Sequence, residues 1–201
     1  MEQSSRLKIV VARIETGLKE DPRSEKVLGV EGARDYLFTK RVVEWIYKLV
    51  DPSTVGVQNF EPLLLAAWGH TLYRWRIPRE KYPMNTVGYH QWRSAQSALS
   101  ADEVDKILRE ERCDEAARRH VRELILKTTF PQDPDSRVLE DADCLAFLEM
   151  KIESYLDEWD EPKIIRILKG TLEKMTPKAV ELAKGIVLSS DANRLIEKAL
   201  T

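Results

Sequence analysis

The residues most able to do chemistry fall into two groups far apart in the chain. The first begins at His70, which sits inside the apolar run Leu63, Leu64, Leu65, Ala66, Ala67, Trp68, Leu72 and Tyr73. An imidazole there needs a hydrogen-bond partner, because an unpaired buried polar group costs roughly 1–3 kcal/mol. The second group is Glu140, Asp141 and Asp143, set among Leu139, Ala142, Cys144, Leu145, Ala146, Phe147 and Leu148. Asp141 and Asp143 are two residues apart and lie on different helix faces. One can reach the rim; the other, by its apolar neighbours Asp143, points inward. Glu140, three residues earlier, shares the Asp143 face. A buried carboxylate must be paired or neutral, and His70, Arg74 and Lys127 are its candidate partners. An imidazole beside a carboxylate is the arrangement of a general acid or base. The plainer alternative is an internal ion pair that ties two helices together.

Between the two groups lies a dense basic and aromatic stretch. Arg74, Arg76, Arg79, Lys81 and Arg93 are interleaved with Tyr73, Trp75, Tyr82, Tyr89 and Trp92. Guanidinium forks bind carboxylate or phosphate bidentately, and flat rings stack on planar groups. Arg74, Arg76, Arg79, Tyr82, Tyr89, Trp92, Arg93 and Lys127 are therefore the expected contacts of a small anionic substrate, with His70, Asp143 and Glu140 as the catalytic groups. The alternative is a solvated surface of ordinary ion pairs.

The elements that must position these groups are helical. Apolar residues recur at helical spacing over Arg6–Lys19 and Ala33–Val50. The run from Glu61 to Trp75 has no polar face, as expected of a buried helix, and Gly69 would let a neighbour approach closely. Asp21 to Gly32 reads as a loop, and Asp51-Pro52-Ser53 as a helix stop. A short helix is expected near Asn85. Ser100 and Glu103 form a capping-box pattern that predicts a helix start at Ala101, reaching Arg112. Further helices are expected from Asp114 to Lys127, around Leu139–Leu148, and over Glu161–Met175, Pro177–Ile186 and Asp191–Leu200. Ser189 or Ser190 would cap the last. Period-two alternation with hairpin turn chemistry is nearly absent. The expectation is an all-α bundle of eight or nine helices in a single domain spanning 1–201.

Composition narrows the partners. Lys plus Arg number 32 against 34 Asp plus Glu, a net of -2, which gives no electrostatic argument for nucleic acid or an anionic membrane. Two cysteines, Cys113 and Cys144, are too few for a disulfide framework or a zinc knuckle. The charged amino terminus does not suit a signal peptide or an anchor, so a cytoplasmic protein is expected. A homo-oligomer stays open.

The stretches HTLYRWRIPREKYPMNTVGYHQWR, LILKTTFPQDPDSRVLEDADCLAFLE and EPKIIRILKGTLEKM resemble the all-helical family of unknown function DUF4202. That family in turn is distantly similar to the HD-domain metal-dependent phosphohydrolases, which hold a divalent metal with a His, a His-Asp pair and a later Asp. The resemblance implies that Asp143, in Ala142-Asp143-Cys144-Leu145, is the later Asp and His70 the His of the pair. Thr71 then stands where the paired Asp belongs, and Tyr36 to Tyr47 offers no His. Only His90 or Asp141 could complete a ligand set with His70 and Asp143, a poor set for hydrolysis. A degenerate HD-like core without cofactor is therefore expected. Proton transfer, elimination or cyclisation are the reactions open to it. A non-catalytic binding or interaction module, or a phosphohydrolase with altered metal ligands, are the alternatives. Lys174-Met175-Thr176-Pro177-Lys178 is similar to the signature loop of class I aminoacyl-tRNA synthetases. Thr176 as a cap and Pro177 in a first turn explain those residues better.

Overall fold

The structure is a computed structural model and describes residues 5–27, 29–50 and 57–200. The helices are α1 (Ser5–Lys19), α2 (Arg34–Leu49), α3 (Val57–Gly69), α4 (Thr86–Glu110), α5 (Glu115–Leu126), α6 (Pro134–Glu158), α7 (Glu161–Leu172), α8 (Pro177–Ala183) and α9 (Ser190–Leu200). Two 3-10 turns, Arg74–Arg76 and Arg79–Lys81, join α3 to α4. The fold is all-α, as expected. Strands β1 (Ser24–Val27) and β2 (Val30–Ala33) form a small antiparallel hairpin, with Ser24 opposite Ala33 and Val27 opposite Val30.

Side-chain capping fixes most of the helix starts. The Asn85, Asp114, Asp133, Asp160 and Thr176 side chains each accept a backbone N–H from the first turn of the helix that follows. Each removes one of the orphan donors that a helix start leaves. The Ser189 hydroxyl accepts from Ala192 N at 3.2 Å and starts α9. Pro134, Pro162 and Pro177 follow their caps closely, where the missing N–H costs nothing.

Helix α3 packs against α1, α2, α4, α5 and α6. That central position is why Leu63, Leu64, Leu65, Ala66 and Ala67 are all buried and why no polar face is written into the sequence. A Cβ added at Gly69 would collide with the Val104 side chain of α4, so glycine here permits a close helix approach. Helix α2 lies along α6, α4 along α5, and α7 along α9.

The structure differs from the sequence-based expectation at four places. The segment expected as a loop over Asp21–Gly32 forms most of the hairpin, whose second strand runs on to Ala33. The helix expected to Trp75 stops at Gly69, and Tyr73 takes a left-handed backbone with φ 56°. The segments expected as separate helices near Asn85 and from Ala101 are one helix, α4. Ser100 does not cap; its buried hydroxyl donates to Leu72 O at 2.8 Å, satisfying a carbonyl just past the end of α3. The Leu139–Leu148 run is the middle of the longer α6. The stop expected at Asp51-Pro52-Ser53 lies outside the described residues.

Candidate functional site

His70 directly follows α3. Its ring Nδ1 lies 2.7 Å from Ala67 O. A carbonyl can only accept, so Nδ1 carries the proton and Nε2 is left as the exchanging nitrogen. Only 9% of the side chain is exposed, and Nε2 is buried with no hydrogen-bond partner. The Oδ1 of Asp143 lies 3.4 Å from it, close enough for an ion pair but out of hydrogen-bond alignment. The Phe38 ring of α2 flanks the imidazole, with centroids 6.2 Å apart. Two groups more than seventy residues apart in sequence are thus brought together.

Around this pair lies a charged cluster. The Lys127 ammonium donates to Glu140 Oε2 and to Asp143 Oδ2, the latter at 3.5 Å. Lys174 Nζ approaches Glu140 Oε1 at 3.4 Å. Glu140 is buried, whereas the Lys127 stem lies at the surface and its head reaches inward. Desolvation pushes the Asp143 carboxyl up, but Lys127, His70 and Arg93 outweigh it and hold the group well below the ordinary carboxylate range. Desolvation also lowers the Lys127 ammonium, and Asp143 and Glu140 more than reverse that. Asp143 is an anion and Lys127 a cation at neutral pH. Lys127 ends α5 in a left-handed conformation, φ 56°, uncommon for a residue with a Cβ.

Asp143 meets His70 and Lys127, two of its expected partners, but Asp141, expected to be able to reach the rim, does not. Asp141 is the more deeply buried, 3% exposed. It accepts from Thr176 N at 2.8 Å and from the Thr176 hydroxyl, tying α6 to the start of α8. Burial raises its carboxyl above the usual value despite Thr176. Asp143, with 21% of its side chain exposed, faces His70 from a partly open position. The period of the helix separates the two faces, but sequence alone does not tell which one meets another element.

The basic residues divide likewise. Arg93, on α4, donates to Gln96 Oε1 at 3.2 Å and acts electrostatically on both Asp143 and Lys127. Among the described residues it has no carboxylate within ion-pair distance. Arg74 is committed elsewhere: Nε and Nη2 donate to Asp35 Oδ1 at 2.9 and 2.7 Å, and it lies over Phe38. Arg76 stacks on Tyr73 and pairs with Glu20 at 3.3 Å. Arg79 braces its own loop through the carbonyls of Tyr82 at 3.1 Å and Asn85 at 3.4 Å, beneath the Trp92 ring. Trp92 Nε1 donates to Ile77 O at 2.9 Å. Tyr82 is half-buried, and Tyr89 is exposed beside His90 and Trp92. Trp92 therefore braces the loop over α4, and of the expected anion contacts Arg93 and Lys127 act on Asp143, the partner of His70.

Sequence reasoning passed over Lys174, Gln96 and Asp35. Lys174 lies in the segment set aside as a chance motif. Gln96 supports Arg93 and donates from Nε2 to Arg74 O at 3.1 Å. Asp35 sat unremarked in the first turn of α2. Two clefts, of about 710 and 740 Å³, lie away from His70: one between α4 and α5, the other beside α5 and the start of α6.

The residues at His70 do not fit a metal. The Thr71 hydroxyl, where the HD resemblance would require a carboxylate, is buried against the Thr39 hydroxyl of α2. The Nδ1–H of His70 is held by Ala67 O, which leaves Nε2 free as a ligand atom, but Asp141 is occupied by Thr176. His70 and Asp143 have no third ligand among the described residues.

The family model described as Domain of unknown function (DUF4202) matches residues 8–196, so the chain belongs to that family. No curated protein and no solved structure matches. No helix among the described residues is long and apolar enough to cross a membrane.

Proposed function

We propose that this DUF4202 protein is an enzyme that binds a small anionic molecule (a phosphorylated, nucleotide-like or carboxylate compound) and moves a proton through His70 Nε2. The observation that supports this most is a buried imidazole nitrogen without a hydrogen bond, 3.4 Å from the Asp143 carboxylate. With Nδ1 fixed on Ala67 O, Nε2 is the atom that takes or gives the proton. Asp143 stabilises the imidazolium when it forms. Arg93 and Lys127 neutralise the bound anion, and Glu140 holds Lys127 in place. The fold would then be an HD-like core that has exchanged metal ligands for the Thr39–Thr71 pair, in a cytoplasmic protein.

The test is a thermal-shift screen of the full chain with nucleotides, phosphosugars and dicarboxylates, followed by turnover assays on whatever stabilises it. Arg93→Ala should lose the ligand-induced shift, and His70→Gln should keep it while losing turnover. Arg79→Ala, which weakens the loop rather than the charge cluster, should lower the melting temperature with ligand and without it by similar amounts. If no compound stabilises the wild type, or Arg93→Ala responds as the wild type does, the proposal fails. A second reading, a non-catalytic ligand-binding or interaction module, draws on the position of both clefts away from His70. There, His70→Ala would lower stability and leave ligand binding intact.

A further inference from the structure

We infer that a second site, built by His120, Asp133 and Asp135, binds one divalent transition-metal ion, Zn²⁺ or Mn²⁺. His120 lies on α5, Asp133 caps α6, and Asp135 is in its first turn. One donor atom from each lies within 4.8 Å of the others. His120 Nε2 is 2.9 Å from Asp135 Oδ2, and Nδ1 is 3.9 Å from Asp133 Oδ2. One ion takes only one of these nitrogens, and the donor set with a single ring nitrogen spans up to 4.8 Å. Tetrahedral ligands about 2.0–2.2 Å from zinc stand about 3.4 Å apart, so side-chain rotations must draw the set in by about 1–1.5 Å to close around an ion.

Three features favour a cation here. First, Glu123 Oε2 also approaches the ring, at 4.0 Å, so three carboxylates share one imidazole. Among the described residues, no Lys or Arg lies within ion-pair distance of Asp133, Asp135 or Glu123. Elsewhere in this chain the more buried carboxylates Asp35 and Glu140 have such partners, so this excess of negative charge is local. Second, a helix start alone would attract an anion, but Asp133 Oδ1 already accepts from Asp135 N at 2.7 Å and Ser136 N at 3.0 Å. Its Oδ2 is the oxygen left for a metal. Third, the group lines the cleft of about 740 Å³ between α5 and the start of α6, together with Glu61, Arg6 and Arg118, the last of them paired with Asp105 at 2.9 Å. Three protein ligands opening on a cleft leave a coordination position for water or a ligand, which distinguishes a catalytic or exchangeable site from a closed structural one. One nitrogen and two oxygens suit borderline and hard divalent ions. Nothing in this site involves His70, so it stands or falls independently of the acid–base proposal.

The experiment strips the full chain with chelator and titrates it with Zn²⁺, Mn²⁺ and Mg²⁺ by calorimetry, with bound metal counted after desalting. One equivalent of Zn²⁺ or Mn²⁺ is expected. His120→Gln and Asp135→Asn should each weaken it at least tenfold, with their folding checked by circular dichroism. His70→Ala should bind as the wild type does. Co²⁺ substitution should give visible bands that disappear in His120→Gln. No stoichiometric binding, binding unchanged in both variants, or binding lost only in His70→Ala would each overturn the assignment.

Discussion

Asp35 should be among the most costly single positions to alter, although it touches none of the proposed reacting groups. Its side chain is 1% exposed and accepts from Arg23 Nη2 at 2.7 Å and twice from Arg74. Asp35→Asn keeps the shape and removes the charge. Arg23 is partly exposed and retains both oxygens of Asp21, each at 2.8 Å, so it loses little. Arg74 is 16% exposed and has no second carboxylate among the described residues, so the cost falls on it. Removing one partner of a buried pair costs about 3–5 kcal/mol. The partial exposure of Arg74 and its contact with Phe38 place the expectation at the low end, about 3 kcal/mol. For a chain of this size that corresponds to a fall in Tm of about 6–12 °C. Urea unfolding at pH 7 of the wild type, Asp35→Asn, Arg74→Met and the double variant measures it. The two changes should be strongly non-additive, with a coupling of about 1–3 kcal/mol. A loss below about 1 kcal/mol for Asp35→Asn, or additive effects, would show that Arg74 is not held as a structural cation and would return it to the candidate anion contacts.

Gly69→Ala should destabilise by about 1–3 kcal/mol through overpacking against Val104, with partial rescue by Val104→Ala; urea midpoints that do not move would refute the close approach of α3 and α4. The Asp143 carboxyl is held below its ordinary value in the folded chain. It therefore contributes stability that is present above the unfolded carboxylate value near about 4 and is lost as pH falls below it. Asp143→Asn should flatten the dependence of the urea midpoint on pH between about 5 and 2; parallel wild-type and variant profiles would show that Lys127, His70 and Arg93 do not act on this group.

The helices were legible wherever a cap and an apolar stripe agreed, as at Asp114 with Val121, Leu124 and Ile125. They were misjudged where a tertiary contact overrode a local signal. Ser100 carries a start signal, but the Leu72 carbonyl claims its hydroxyl. The apolar run past Gly69 looks helical, yet the chain turns there so that Arg74 can meet Asp35 and His70 can face α6. The His70–Asp143 pairing followed from polarity in an apolar setting, which is a property of the sequence. The fate of the arginines was not, because it depends on Asp35 and Glu20, which lie on other elements and carry no local mark. Glu25, on the hairpin read as a loop, escaped notice for the same reason: its ion pair with Arg34 at the start of α2 requires strands too short to show alternation.

The two half-buried histidines occupy opposite electrostatic settings, and helix α6 with its cap supplies most of the acidic groups at both. At its start, His120 faces Asp133, Asp135 and Glu123 without a basic side chain in pairing range. Two turns on, His70 meets Asp143 where Lys127, Lys174 and Arg93 outnumber the carboxylates Glu140 and Asp143. Charge at short range decides which ligand each imidazole can serve, because pair energies inside a protein far exceed those in bulk water. A cation relieves the excess at His120 and would add to it at His70; an anion does the reverse. If both proposals hold, phosphate should protect Arg93-dependent stability without displacing Co²⁺, and Co²⁺ should load without altering the Arg93 dependence. A chain that handled both ligands at one imidazole would need a charge reversal that neither cluster contains.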